Sequence, residues 1–323
     1  MRVFLAGGSG AIGRRLVAML VAAGHEVTAT TTSTAKEETL RRAGARPAVL
    51  DVLDRDAVLS AMAQAHPEVV VHQATALAGM GDLRKFDEEF ERTNEVRTRG
   101  TDNLLAAGRE SGARRFVAQS FGGWPYAREG APVKSEDAPL DADPPAQARR
   151  TLDAIRHLES ATTGTPGIDG LALRYGFFYG PGTSLGPDGS NSQVDAIRHR
   201  RFPIVGSGNG MWSFVHIEDA AAAALAAVDR GSPGIYKVVD DHPAPVAEWL
   251  PYLAELLGAK PPRHLPAWVG RLVLGEHGVA WMTEIRGSSN AKAKRELGWQ
   301  LRHPDWRDGF RALVEPFAAK RVA

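Results

Sequence analysis

Short apolar runs and helix-period segments alternate along the first 240 residues of the chain. Val3–Ala6, Glu26–Thr31, Pro47–Leu50, Val69–His72, Arg115–Ala118 and Leu171–Arg174 are short and apolar enough to be strands. Between them lie helical patterns. Arg14–Ala23 carries Leu16, Met19, Leu20 and Ala23 at helical spacing from Ile12, and Ala35–Ala43, Asp54–Ala65, Asn94–Ser111 and Arg149–Thr162 follow. Strands without a polar face must be covered on both sides, so the alternation predicts an α/β fold with a doubly wound parallel sheet. Beyond residue 175 the pattern loosens. Residues 180–192 are rich in Gly, Pro, Ser and Asn, and Gly206–Gly210 precedes a short run at Ser213–Ile217. Asp219–Val228 predicts a helix and Gly234–Val239 a strand. After Asp240, helical segments are punctuated by Pro243, Pro245, Pro261, Pro262 and Pro266. This predicts a smaller, mostly helical C-terminal region laid over the sheet.

The first strand runs directly into Gly7-Gly8-Ser9-Gly10-Ala11-Ile12-Gly13 and then a helix. Gly8, Gly10 and Gly13 read as G-x-G-x-x-G, and Gly7, Gly10 and Gly13 as G-x-x-G-x-x-G. Such a turn lets backbone approach a pyrophosphate, while free N–H groups and the helix dipole face its charge. Glycines are common here (34 of them), so the strand before and the helix after give the motif its weight. The other reading is a tight strand-to-helix turn with no ligand.

Composition narrows the picture. The 323 residues can form one large domain or one with a smaller partner, and 43% hydrophobic residues can fill a core. Net charge is +1 without a basic block, which gives nucleic-acid binding no electrostatic support. Cysteine is absent, excluding disulfides and thiolate chemistry. No leader precedes the first strand and no run of ~18 apolar residues occurs, so a cytoplasmic protein without a membrane span is expected. No His, Asp and Glu grouping has metal-ligand spacing, and no metal is expected.

Taken together, these motifs resemble the extended short-chain dehydrogenases/reductases of the epimerase/dehydratase type. The resemblance rests on the glycine loop, Asp51-Val52-Leu53-Asp54, Asn94 with Gly100-Thr101 and Asn103-Leu104-Leu105, and Ser120. It continues through Leu173-Arg174-Tyr175-Gly176, Tyr179-Gly180-Pro181-Gly182 and Phe214-Val215-His216-Ile217-Glu218-Asp219. It implies a Rossmann-type domain over residues 1–175 plus about 213–240, with residues 176–212 and 241–323 binding substrate. It also implies cofactor contacts from Gly7, Gly10, Ala11, Ile12 and Gly13, from Asp51 and Val52 at the adenine, and from Ala74, Tyr179 and Pro181 near the nicotinamide. Asp51 equally suits a strand-end turn. Ser120 would polarise a substrate oxygen. Family members often pair through the helices represented here by Asn94–Ser111 and Arg149–Thr162, so a homodimer is expected, although Leu152, Ile155 and Leu158 could equally face the sheet.

Two departures shape the expected chemistry. The end of the second strand, Thr28–Lys36, has no carboxylate for ribose hydroxyls; it offers Thr31, Ser33 and Lys36, which suit a 2′-phosphate and so NADP(H) over NAD(H). Lys36 equally suits the start of a solvated helix. The family's Tyr-x-x-x-Lys pair is missing. Taking Glu159 as the family glutamate, Thr151 stands at the tyrosine position and Ile155 at the lysine position. Tyr126 is then the candidate proton donor, with packing as its alternative; Arg149, Arg150 and His157 suit the role less well. His72 and His216 read as structural histidines. The polar residues that nucleotide-sugar enzymes use are absent, and Phe121, Trp124, Phe177, Phe178 and Trp212 suggest an aromatic-walled pocket for an uncharged hydrophobic molecule. The leading expectation is an NADP(H)-dependent oxidoreductase with a non-standard proton donor. The alternatives are a redox-neutral isomerase, lyase or cyclase, and a non-catalytic dinucleotide-sensing protein.

Overall fold

The computed structural model describes residues 1–77, 82–186 and 193–322, with residues 316–322 through their backbone alone. Of the Gly-, Pro-, Ser- and Asn-rich stretch, residues 187–192 lie outside the described residues. A seven-stranded parallel sheet organises the chain. Its strands are β1 (Arg2–Ala6), β2 (Glu26–Thr31), β3 (Arg46–Val49), β4 (Val69–His72), β5 (Arg115–Phe121), β6 (Asp169–Tyr175) and, beyond a strand pair β7 (Phe177–Tyr179) and β8 (Phe214–His216) outside this sheet, β9 (Gly234–Val238). The order is β9-β6-β5-β4-β1-β2-β3. The chain therefore winds outward from β1 in both directions, and the switch between β1 and β4 opens a crevice at the strands' carboxyl ends.

Strand alternation divides the core. Val3 and Leu5 of β1 face one layer, formed by α1 (Gly13–Ala22), the alanine-rich helix Ile217–Asp229 and Trp299. Phe4 and Ala6 face the other, formed by Arg55–Ala65, Thr101–Glu110 and Leu158 of the helix Arg149–Gly164. The alanines of 217–229 let that helix sit close: Ala220, Ala221, Ala223, Ala224 and Ala227 are all fully buried. A third core, built on Trp212, Phe214, Trp249, Trp306 and Phe310, joins the C-terminal helices to the strand pair β7 (Phe177–Tyr179) and β8 (Phe214–His216). No described helix is long and apolar enough to cross a membrane.

One predicted element differs in detail. Asn94–Ser111 is not one regular helix: it begins at Glu91, passes through a π-helical turn at Val96–Gly100 and resumes at Thr101. The Thr98 hydroxyl donates to the carbonyls of Asn94 (2.9 Å) and Glu95 (3.3 Å), competing with the regular ladder. Leu152, Ile155 and Leu158 point into the protein, so they leave the outer face of their helix to polar residues.

Candidate active site

The cleft begins at the glycine loop, whose shape depends on the absence of side chains. Gly7 has φ +86°, in the region glycine alone enters without strain. A Cβ at Gly13 would lie 2.1 Å from the Gly7 carbonyl oxygen, so only glycine lets α1 start against the loop. Threonines of β2 clip the loop from beside it: Gly7 N–H donates to Thr30 Oγ1 (3.0 Å), and Ser9 Oγ meets Thr31 Oγ1 (3.0 Å). The helix entrance has no capping side chain, since Ile12 precedes it. Its free N–H groups and bare backbone fit a dinucleotide pyrophosphate.

From this loop a cleft of about 820 Å³ runs across the sheet's carboxyl edge. At the β2–β3 end it is lined by Thr31, Thr32, Lys36, Asp51, Val52 and Arg92; at the other by Phe86, Phe90, Gln119, Phe121, Phe177, Phe178 and Trp281. Gly7, Gly10, Ala11, Ile12 and Ala74 line the stretch between. Arg92 bridges Asp51 and Glu95 (2.9 Å to the latter), so Asp51 carries an ion pair as well as its turn bond to the Leu53 N–H (3.0 Å). Lys36 is exposed at the cleft's edge and makes no ion pair among the described residues.

Other predicted cofactor residues stand back. Gly13 serves the loop–helix contact. Ser33 lies beside the cleft, its N–H donating to Thr31 Oγ1 (3.2 Å). Tyr179 is fully buried in the C-terminal core, its ring against His216 and Phe310 at 5.1 and 5.4 Å. It therefore does not line the cleft. The Pro181 carbonyl accepts from Arg15 (2.8 Å), and the residues after it, Gly182 to Leu185, reach the cleft.

The predicted catalytic residues are sealed behind the wall. On β5, Gln119 and Phe121 face the cleft, so strand alternation turns Ser120 away. Ser120 is 2% exposed and donates to Glu159 Oε1 at 2.6 Å. Glu159 is also gripped by both Nε and Nη2 of Arg174 at 2.7 Å. Tyr126 is buried too. The loop after β5 curls back so that a Cβ at Gly122 would lie 2.8 Å from the Tyr126 hydroxyl. Lys237 Nζ sits 3.8 Å from the Tyr126 ring centre, and burial pushes the phenol up to about 12. Burial also pushes Lys237 down to about 7; its ammonium donates to the Lys134 carbonyl at 2.8 Å. Ser120 and Tyr126 are thus brought near one another through Arg174, away from the cleft.

Thr151 and Ile155 are equally committed. The Thr151 hydroxyl donates to Asp87 Oδ1 (2.6 Å) and accepts from Asn94 Nδ2 (2.9 Å), while Asp87 takes the first N–H groups of the helix. Ile155 is core. His157 is exposed and pairs with Asp102 at 2.8 Å; Arg149 and Arg150 pair at the surface with Asp143 and Asp87. His72 is buried and pushed down to about 4 by burial; its Nδ1 accepts from the Ala74 N–H. Among the described residues His216, Asp219 and His303 gather ligand-type atoms within 4.8 Å. However, His216 Nδ1 accepts from Glu218 N, and both Asp219 oxygens accept backbone N–H groups of Arg302 and His303. The trio ties the helix Ile217–Asp229 to the segment after Trp299.

Of the predicted aromatic wall, Phe121, Phe177 and Phe178 line the cleft. Trp212 stacks behind Phe177 at 3.8 Å, and Trp124 packs behind Phe86 at 5.7 Å. Phe86, Phe90 and Trp281 are wall residues that sequence reasoning missed. Phe86 and Phe90 lie one helical turn apart and Trp281 comes from the helix Ala267–Thr283, so only the fold brings them together.

A model of the NAD-dependent epimerase/dehydratase family matches residues 3–238. A 3-diazoavenalumate denitrifying reductase from a Streptomyces species is 44% identical over 311 residues, 96% of this chain and 99% of that one. A 4-hydroxy-2-methyl-3-oxo-4-farnesyl-3,4-dihydroquinoline-1-oxide ketoreductase from Stigmatella aurantiaca is 31% identical, over 80% of this chain and 74% of its own. Among solved structures, the UDP-glucose 4-epimerase of Thermus thermophilus with NAD superposes with a TM-score of 0.73 at 26% identity, covering 98% of this chain and 99% of that one.

Proposed function

The chain belongs to the NAD-dependent epimerase/dehydratase family and is a nicotinamide-dinucleotide-dependent oxidoreductase of the short-chain dehydrogenase/reductase type, and from that premise we propose that it is an NADP(H)-dependent reductase that replaces a diazonium group on an aromatic substrate by hydrogen. The observation that carries this reading is the make-up of the cleft. Its ionisable lining residues among those described, Lys36, Asp51 and Arg92, all stand at the β2–β3 end. Among the described residues, the aromatic end has amides, the hydroxyls of Thr183 and Ser184, and rings, but no phenol, imidazole or ammonium.

Reducing a carbonyl to an alcohol takes a hydride and a proton, and a positioned acid normally delivers the proton. A C–N2⁺ group takes a hydride alone: its positive charge cancels the incoming negative one, the C–N bond breaks, N2 leaves and a C–H bond remains. When bound, a reduced nicotinamide supplies the hydride. The chain's own task is then to hold the ring and exclude water, which Phe86, Phe90, Phe121, Phe177 and Trp281 suit. The name of the Streptomyces relative, a denitrifying reductase of a diazo compound, supports the same reading. The NADP(H) preference rests on the exposed Lys36 and the hydroxyl-rich, carboxylate-free end of β2. We assign cofactor binding to residues 1–175 with about 213–240 and substrate binding to 176–212 and 241–323. We also infer a homodimer through the outer faces of Thr101–Glu110 and Arg149–Gly164, to be checked by light scattering.

The test is a parallel assay with an arenediazonium compound and a panel of aromatic ketones. Expected are NADPH oxidation matched one-to-one by N2 release, with deuterium from C4-labelled NADPH in the new C–H bond. Ketone reduction without any diazonium turnover overturns the reading, as does product formed at constant nicotinamide absorbance or cofactor binding with no turnover of either substrate.

A further inference from the structure

Among the described residues of the cleft wall, the fold leaves the Trp281 Nε1 and the whole amide of Gln73 without partners. Gln73 follows β4 directly, is 5% exposed and lines the cleft, yet neither its Oε1 nor its Nε2 has a hydrogen-bond partner in the protein. Its backbone is fixed: Gln73 N–H donates to the Ala6 carbonyl at 2.9 Å, and a Cβ on Gly7 would lie 2.7 Å from the Gln73 carbonyl carbon. The Tyr175 hydroxyl beside it is buried and likewise without a well-aligned partner. Burial raises that phenol, and the Gln73 amide next to it draws it back. A buried amide without a well-aligned partner for either function lowers stability, whereas a leucine of similar length would not. A ligand that brings one donor and one acceptor resolves the conflict.

The sheet order says which part of a dinucleotide this is. β4 lies between β1 and β5, while β2 and β3, with Lys36 and Asp51, lie beyond β1 on the other side. Gln73 therefore belongs to the aromatic half of the cleft, together with Phe178, whose ring lies 5.5 Å from Tyr175. The nicotinamide end of the cofactor carries a carboxamide, which matches an amide's donor and acceptor with its own. We propose that Gln73 is a positioning residue that pairs with the nicotinamide carboxamide and so fixes which face of the ring is offered to the substrate. The inference rests on reading the cleft as a dinucleotide site with its adenosine over β2 and β3.

The test measures binding without substrate. NADPH is compared with its 3-acetylpyridine analogue, in which a methyl group replaces the amide NH2, and with 2′-phospho-ADP-ribose, which has no nicotinamide. The wild-type protein is expected to bind NADPH about fivefold more tightly than the analogue, the worth of one hydrogen bond. In Gln73→Leu and Gln73→Met that ratio falls to near one, while affinity for 2′-phospho-ADP-ribose stays at the wild-type value. Equal binding of the two dinucleotides by the wild-type protein overturns the inference without any variant, and an unchanged ratio in folded variants does so too. Failure of the wild-type protein to bind any of the three overturns the dinucleotide reading as well.

Discussion

The two ends of the cleft are built on the same sheet edge but spend their polar groups in opposite ways. At the β2–β3 end, charged groups line the cleft itself: Lys36 is exposed at its edge, and Asp51 and Arg92 pair with each other there. At the aromatic end the comparable groups, Ser120, Tyr126, Thr151, Glu159 and Arg174, are present but turned inward and bonded within the protein: Ser120 and Arg174 to Glu159, Thr151 to Asp87, and Tyr126 to Ser288. The contrast separates binding from proton chemistry. The first end presents charged side chains to the cleft, and the second presents a shaped aromatic wall while Ser120, Tyr126 and Thr151 hold the scaffold behind it.

If the inward groups are structural, removing one should cost stability before it costs chemistry. Glu159→Ala leaves Arg174 buried without its carboxylate and is expected to lower unfolding free energy by about 3–5 kcal/mol in urea titrations. A variant of wild-type stability would show that the pair is not the keystone described here. At the opposite end, Lys36→Ala should weaken NADPH by about tenfold or more and leave NADH unchanged, as for a lost charged hydrogen bond of about 1.5–3 kcal/mol. An equal loss for both cofactors would return Lys36 to a solvated surface role.

Ser120→Ala and Tyr126→Phe sharpen the contrast further. Each should lower stability by about 1 kcal/mol and leave kcat within about threefold. A hundredfold loss of kcat in a stably folded variant would place the proton chemistry back with these residues.

A pH-dependent effect concerns Lys237. Its folded pKa, about 7, lies below the ordinary lysine value, so between about 7 and the unfolded value near 10.4 the unfolded chain binds more protons. Stability attributable to this residue therefore rises with pH across that window and is lowest below it. The melting temperature of the wild-type protein relative to Lys237→Met should climb from pH 7 to pH 9; a flat difference would mean that the buried amine is not titrating.

How far the chain could be read in advance follows the range of the interactions. β2 and β4 have the ends their sequences predict, because Glu26–Thr31 and Val69–His72 are bounded by local signals. The glycine loop was equally legible, since a turn that admits no Cβ leaves its mark in consecutive residues. The absence of a tyrosine and a lysine from the helix Arg149–Gly164 could also be read directly. By contrast, the bonds that hold Ser120 behind the wall depend on Glu159 and Arg174, 39 and 15 residues away from their respective partners. The placement of Tyr126 depends on Lys237 and Ser288, from the sheet's edge strand and the C-terminal region.

The sequence by itself determined the strands, the helices, the phosphate-binding loop and the absence of the usual acid–base pair, because each is set by spacing within a few turns of chain. Tertiary structure alone decided which aromatic rings wall the cleft, which hydroxyls are sealed behind it and that Gln73 is left without a partner. Those outcomes depend on side chains that meet only when the sheet's neighbours pack, and a buried polar group is satisfied or orphaned by what packing brings beside it.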